Sequence, residues 1–316
     1  MRSVTIVGLV SSAVVLAQGC SQGSPPPAPE AATASSAKTA APVAQVAPKK
    51  HHHHKRRQGR PGPQAAVIKK PKPDTAPAAE PACPEDMALV SGDYCRAVEE
   101  RCLEYAQDEK HGPDKNRCLK FEKPTRCVSK SPEPRQMRYC MDRYEYPNKE
   151  GELPMTLVSW SDAQRLCQAQ DKRLCTESEF TFACEGEEMR PYAIGFERDA
   201  TKCNIDKPYL TPKQHMLPQP RCQANASCAA EMKRIDGRRP IGENKECVSP
   251  FGIYDLNGNA NEWVSEPWKQ PPHRAAIKGG WWGPVRNRCR AITTAHDETY
   301  LGYEVGFRCC KDATPE

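Results

Sequence analysis

Apolar residues recur at helical spacing most clearly between positions 159 and 185. Ser159-Trp160-Ser161-Asp162 offers an N-terminal cap, and Ala163, Leu166, Cys167 and Ala169 follow on one face, which predicts a helix. Thr176 and Glu179 stand at capping-box spacing ahead of Phe180, Ala183 and Cys184, which predicts a second helix from Glu177 to about Glu185. Elsewhere the pattern favours short strands. Met87-Ala88-Leu89-Val90 reads as a strand ending in a turn at Ser91-Gly92-Asp93, and Arg138 to Glu145 reads as another. Phe251, Ile253 and Tyr254 are residue types that suit the start of a half-buried strand. Further strands are predicted around 275–282, 289–293 and 305–310. The charged stretch from Cys95 to Cys140 reads as a cysteine-stapled insertion with a helical piece around Arg96 to Gln107. From Arg190 to Ser249 prolines are frequent, Cys203, Cys222, Cys228 and Cys247 intervene, and no regular period emerges.

The pattern of order begins at Cys83. Residues 20–82 are Pro-, Ala- and Ser-rich and too poor in apolar residues to form a core, as expected of an extended tether. Residues 1–19 read as a signal peptide, with Arg2 ahead of an apolar run from Val4 to Ala17. Leu16-Ala17-Gln18-Gly19-Cys20 resembles a bacterial lipobox, so Cys20 is the expected lipidation site; a soluble periplasmic or secreted form is the alternative. Ser21 supplies no aspartate sorting signal, which points to an outer-membrane lipoprotein. His51 to His54 sit beside Lys55-Arg56-Arg57 and suit either a transition metal or an anionic wall or lipid surface.

There are 17 cysteines. Setting Cys20 aside leaves an even number, suited to disulfides in an oxidising compartment. The net charge of +6 is deceptive, because nine Lys or Arg lie between Lys49 and Lys72. The remainder sums to slightly below zero, so a nucleic-acid-binding fold is not indicated.

The stretch Phe251 to Trp263 carries the densest chemistry. Its Asn-Gly turn can satisfy its own backbone through short amide side chains. Alternatively, carboxylates of Asp255 and Glu262 with carbonyls of Gly258 and Ala260 make an oxygen cage of the kind calcium takes. An EF-hand fits poorly: Glu266 falls at the twelfth place from Asp255, but the glycine falls at the fourth, not the sixth.

Four ordered segments resemble the sulfatase-modifying-factor family, whose best-known member is formylglycine-generating enzyme. They are Met141-Asp142-Arg143-Tyr144-Glu145; Val158-Ser159-Trp160 running to Lys172-Arg173-Leu174-Cys175 and Thr176 to Phe180; Phe251 to Trp263; and Lys278-Gly279-Gly280-Trp281 through Gly306-Phe307-Arg308. The likeness covers residues 83–311. It implies an α+β domain, similar to the C-type-lectin-like arrangement, rich in loops and stapled by disulfides. It also implies calcium held by Asp255, Gly258, Ala260 and Glu262, and a second calcium position beginning at Asn204 and Ile205, with Asp236 a further candidate. Cys167 and Cys309 match positions bridged in the animal enzyme. Cys184 matches half of another bridge, whose partner position is Ala291 here; Cys289 lies two residues away, on the same face of the expected strand.

The family's copper chemistry carries over less well. Copper(I) wants two soft thiolates shortly after a Gly-Gly-Ser segment. Here Gly279-Gly280-Trp281 replaces that segment, the first thiolate position falls near Pro284, and Cys289 is the sole cysteine that follows before Cys309. Copper is therefore not expected, and no catalytic residue is assigned beyond Cys289 as a weak candidate. Relatives that use iron hold it through histidines; outside the tether this chain has only His111, His215, His273 and His296, scattered in sequence. Two functions follow. One is a catalytically silent domain that binds a cell-envelope protein or glycan, attached to the membrane through its lipid. The other is an active oxidase, either formylglycine-generating or using a different metal. Trp281, Trp282 and the Arg286, Arg288, Arg290 series are candidates for a groove, or for alternating faces of an edge strand.

Overall fold

The computed structural model describes residues 81–108, 110–130, 135–213 and 225–315. The expected signal peptide, Cys20, His51 to His54 and nearly all of the tether lie outside the described residues. Among the described residues, no helix is long and apolar enough to cross a membrane.

Strand β1 (Met87–Tyr94) runs through the predicted turn at Ser91 to Asp93 without stopping. Strands β2 (Val98–Glu99), β3 (Cys102–Asp108), β4 (Gly112–Phe121) and β5 (Arg126–Cys127) form the insertion, and β6 (Arg135–Asp142) returns to the core. The expected helix around Arg96 to Gln107 is absent. Disulfides Cys95–Cys127 and Cys102–Cys118 tie the start and the middle of that segment to neighbouring strands, where β2 pairs with β5 and β3 with β4. Strand pairing satisfies the backbone there, and this tertiary context overrides local propensity.

Helices α1 (Trp160–Gln168) and α2 (Glu177–Glu185) form where their caps predict, with strand β7 (Arg173–Leu174) between them. Ser159 Oγ accepts from the Asp162 amide at 3.1 Å. At α2 the box closes both ways: the Glu179 amide donates to Thr176 Oγ1 at 3.3 Å, and the Thr176 amide donates to Glu179 Oε2 at 2.7 Å. A third helix, α3 (Ala226–Ile235), lies in the stretch that reads as irregular; Asn225 caps it through the amides of Ser227 and Cys228.

After β8 (Asn261–Ser265) and β9 (Ala275–Lys278), strands β10 (Val305–Phe307) and β11 (Cys309–Asp312) end the domain. One sheet has the order β1-β6-β11-β7, and a second has β10-β8-β9, with β10 parallel to β8. Residues 251–254 and 289–293 are not strands; each makes one isolated bridge, Val248 with Tyr254 and Thr293 with Ile277. One core packs β1, β6 and α2 around Phe180 and Phe182, and another packs α1 against Trp263 and Phe307. Trp263 is buried in that second core and donates from Nε1 to the Val158 carbonyl at 2.8 Å, which fixes one end of the loop before it.

All fifteen cysteines among the described residues are disulfide-bonded. Cys167 pairs with Cys309, tying α1 to β11; Cys175, just after β7, pairs with Cys310, and Cys184 ties α2 to Cys289 in the segment between β9 and β10. Cys83–Cys140 and Cys203–Cys247 close the N-terminal and middle segments.

Candidate functional site

The loop from Asp255 to Glu262 is buried and polar. Asp255, Asn257, Asn259 and Glu262 are each at most 2 % exposed. Asp255 and Asn259 adopt left-handed backbone, with φ of 57° and 58°, a region that short polar side chains tolerate. At Gly258, φ is 94°, and a Cβ would stand 2.4 Å from the Asn204 carbonyl oxygen. The glycine is therefore required by the close approach of a second backbone segment, as well as by its dihedral. That approach brings Asn204 and Ile205 against the loop, and the Asn259 amide donates to the Asn204 carbonyl at 2.9 Å.

Beneath the loop, Glu262 and Arg308 form a bidentate pair, Nε to Oε2 at 2.7 Å and Nη2 to Oε1 at 2.6 Å, both residues at most 1 % exposed. Glu145 lies alongside, accepting from the Ala260 amide at 2.9 Å and from Asn259 Nδ2 at 2.6 Å. Asp255 accepts from Asn244 Nδ2 at 2.9 Å. Burial pushes all three carboxyls upward, Asp255 to about 7, and the neighbouring carboxylates push Glu145 and Asp255 further; Arg308 opposes this at each.

With all three ionised, as a bound cation would require, three carboxylates face one guanidinium. The excess of two negative charges, carried by hard oxygen donors, matches one divalent cation of the calcium type. Asp255 and Glu262, with the Gly258 and Ala260 carbonyls of the same loop, are the residues that would hold it, Glu262 giving up one of its two bonds to Arg308 to do so. The cation would neutralise repulsion among the carboxylates and pin the loop. At the second position the fit is poor, because Asp236 is bound by the side chain and amide of Arg238.

Sequence reasoning missed Glu145, Arg308 and Asn244. Glu145 and Arg308 belong to the segments that carry the family likeness, but nothing local distinguishes them from ordinary strand residues.

On the other side of Gly279 lies a cavity of about 450 Å³, lined by Asp114, Asn116, Trp281, Pro284, Arg286 and Thr293 among others. Asp114 and Asn116 belong to β4, so the insertion supplies one wall. Trp281 packs edge-on against Tyr209, Trp282 and Tyr303, with ring centroids 5.0 to 6.0 Å away. Of the arginine series only Arg286 reaches this groove. Arg288 pairs with Glu100 at 3.0 Å, and Arg290 grips Glu185 at 2.5 and 2.7 Å while donating to the Cys95 carbonyl at 2.6 Å. Pro284 stands on the groove wall, whereas Cys289 is fully buried and bonded to Cys184 of α2. His273 and His296 do not meet in a metal site: His296 stacks on Tyr300 at 3.7 Å, and among the described residues neither histidine joins a group of three His, Cys, Asp or Glu that could hold a metal.

Residues 96–313 match the profile of the sulfatase-modifying factor enzyme 1-like domain. The chain belongs to this family. Two curated relatives are the inactive Cα-formylglycine-generating enzyme 2 of Bos taurus, 26 % identical over 186 residues, and that of Mus musculus, 28 % identical over 174. The matches cover 51 % of this chain in both cases, and 51 % and 50 % of the relatives. The chain thus spans about half the length of the curated relatives it matches. Among solved structures, CarF (15 % identity, TM-score 0.43) is covered to 98 % by 72 % of this chain. PvdO from Pseudomonas aeruginosa (15 %, 0.42) is covered completely by 74 % of this chain. The fold is the α+β, loop-rich, disulfide-stapled domain of the sulfatase-modifying-factor family.

Proposed function

We propose that this chain is an exported, lipid-anchored protein whose domain binds a ligand at the cell envelope and does not make formylglycine. One observation carries the reading: Cys289, the thiol nearest the family's copper position, is consumed in a buried disulfide with Cys184. Copper(I) needs two free thiolates, and a disulfide sulfur offers neither charge nor nucleophilicity. The word "inactive" in the names of both curated relatives agrees with it. Export and anchoring are supported by the Leu16 to Cys20 pattern and by cysteine pairing that suits an oxidising compartment.

The groove beside Trp281 is the binding surface in this reading. An aromatic face next to Asp114, Asn116 and Arg286 suits a protein loop or glycan from the envelope. Calcium between Asp255 and Glu262 has a structural role, holding the loop that supports Gly279. The Gly258 amide donates to the Gly279 carbonyl at 3.2 Å, which links ion and groove mechanically.

Incubating the purified full chain with a Cys-x-Pro-x-Arg peptide, copper and a reductant tests the central claim. No aldehyde is expected. Turnover that disappears in Cys289→Ser would overturn the reading. Mass spectrometry of the mature N-terminus tests the anchor, with a diacylated Cys20 expected.

A further inference from the structure

The family likeness points to a second cation position at Asn204, Ile205 and Asp236, and the groups gathered there are arranged differently from the first. Gly237 presents its carbonyl between them. It accepts from Asn204 Nδ2 at 2.9 Å and from Lys207 Nζ at 2.7 Å. Its position is fixed, since a Cβ on Gly237 would stand 2.3 Å from the Trp282 ring. Lys207 is placed with equal firmness, because its amide donates to the Trp282 carbonyl at 2.9 Å.

The carboxylate of Asp236 is fully engaged. Oδ1 accepts from the Arg238 amide at 3.0 Å and from Arg238 Nε at 2.8 Å; Oδ2 accepts from Arg238 Nη2 at 2.6 Å. The remaining guanidinium nitrogen donates to the Pro154 carbonyl, so the side chain is clamped from both sides. Counting the charged groups, Lys207, Arg238 and Arg239 face Asp236 and Glu243, leaving the position net positive. The first position carries the opposite sign.

We infer that the chain fills its second cation position from within: the Lys207 ammonium and Arg238 guanidinium take the place of a metal ion. A hard dication needs six to eight oxygens and carboxylate charge. Among the buried side-chain atoms here, the one without a protein partner is Asn204 Oδ1, a neutral amide. An entering ion would meet positive charge and would have to displace a bidentate pair. The family likeness names the position, and the inference is independent of whether calcium occupies the first one.

Calcium stoichiometry of the full chain decides it, measured by equilibrium dialysis and elemental analysis after exhaustive chelation. Asp236→Asn is expected to leave the number of bound ions equal to that of the wild type. Lys207→Met combined with Arg238→Met frees the Asp236 carboxylate while keeping the aliphatic stems, and is expected to bind one ion more than wild type. Added calcium should then raise the melting temperature of this double variant by more than it raises that of the wild type. Loss of one ion in Asp236→Asn, or no gain in the folded double variant, would overturn the inference. Because both comparisons are made with wild type, an empty first position changes neither outcome.

Discussion

Removing the Arg308 guanidinium is the sharpest perturbation of the buried cluster. Its two bonds to Glu262, at 2.6 and 2.7 Å, lie in a region where both partners are at most 1 % exposed. Breaking a buried pair by deleting one partner costs about 3–5 kcal/mol, because the other charge is left desolvated and alone. Arg308→Met keeps most of the volume and strands Glu262 beside Glu145 and Asp255, so the upper part of that range is expected. Converting Glu262→Gln in the same chain removes the stranded charge. The double variant is therefore expected to recover about 2 kcal/mol relative to additivity. Urea unfolding with disulfides intact, in chelator and in saturating calcium, measures all four corners of the cycle. With calcium present the loss in Arg308→Met should shrink, since a dication then compensates part of the same charge. A loss below about 1 kcal/mol, the range of exposed pairs, would refute the cluster as drawn. An identical loss in both buffers would show that guanidinium and ion do not share one set of carboxylates.

Other expectations follow from the same framework. Chelation should destabilise the wild-type chain, by about 2.7 kcal/mol relative to calcium at a hundred times its dissociation constant; Asp255→Asn, which keeps an acceptor for Asn244, should blunt that response, and identical melting with and without calcium would reduce the loop to an Asn-rich turn. Non-reducing peptide mapping should recover Cys167–Cys309 and Cys175–Cys310 as separate bridges, and a swap between them would contradict the pairing. Replacing Cys167 and Cys309 together by serine, which opens a span of 142 residues, should cost on the order of 4 kcal/mol in the chain-entropy account. His296 is held below its ordinary value of 6.5 by burial against Tyr300, with Asp297 partly opposing. The fold prefers its neutral form, so stability present above pH 6.5 should fall as pH drops toward the folded value; His296→Phe should flatten that slope in denaturant titrations at pH 5, 6 and 7.5.

How much of this was legible in sequence depended on how local each cause was. Helices α1 and α2 carry their caps within three residues of their first turn, and both formed as read. Helix α3 has a cap in Asn225 and an apolar face of Cys228, Met232 and Ile235, but that short face follows a proline-rich approach with no clear period. Phe251 and Tyr254 look like strand residues, yet they are placed by rings: Phe251 packs 5.3 Å from Phe182, and Tyr254 stacks 5.0 Å from Tyr144. The candidate residues of the first metal position, Asp255, Gly258, Ala260 and Glu262, were visible because they lie within eight positions of one another. Their partners were not, because Glu145 and Arg308 come together only when β6 and β11 pair in the finished sheet.

In the proposed reading, the segment from Trp281 to Arg290 keeps the family's framework without its copper chemistry. Its far end is fixed three times over, by Cys289 to Cys184, Arg288 to Glu100 and Arg290 to Glu185 and the Cys95 carbonyl. Glu185 and Cys184 belong to α2, while Cys95 and Glu100 belong to the insertion, so two arginines and one cysteine brace the insertion against the core. A thiol that must cycle through copper coordination cannot also be a permanent brace, because a disulfide holds both sulfurs out of reach. The near end, Trp281 to Arg286, carries no such ties to α2 and borders the groove, facing the wall formed by Asp114 and Asn116. In the proposed reading, the Cys184–Cys289 bridge and the two arginine ties make this segment rigid and present the groove as a preformed surface. A preformed surface loses less entropy when a ligand docks, which is the physical advantage a binding domain would draw from the exchange.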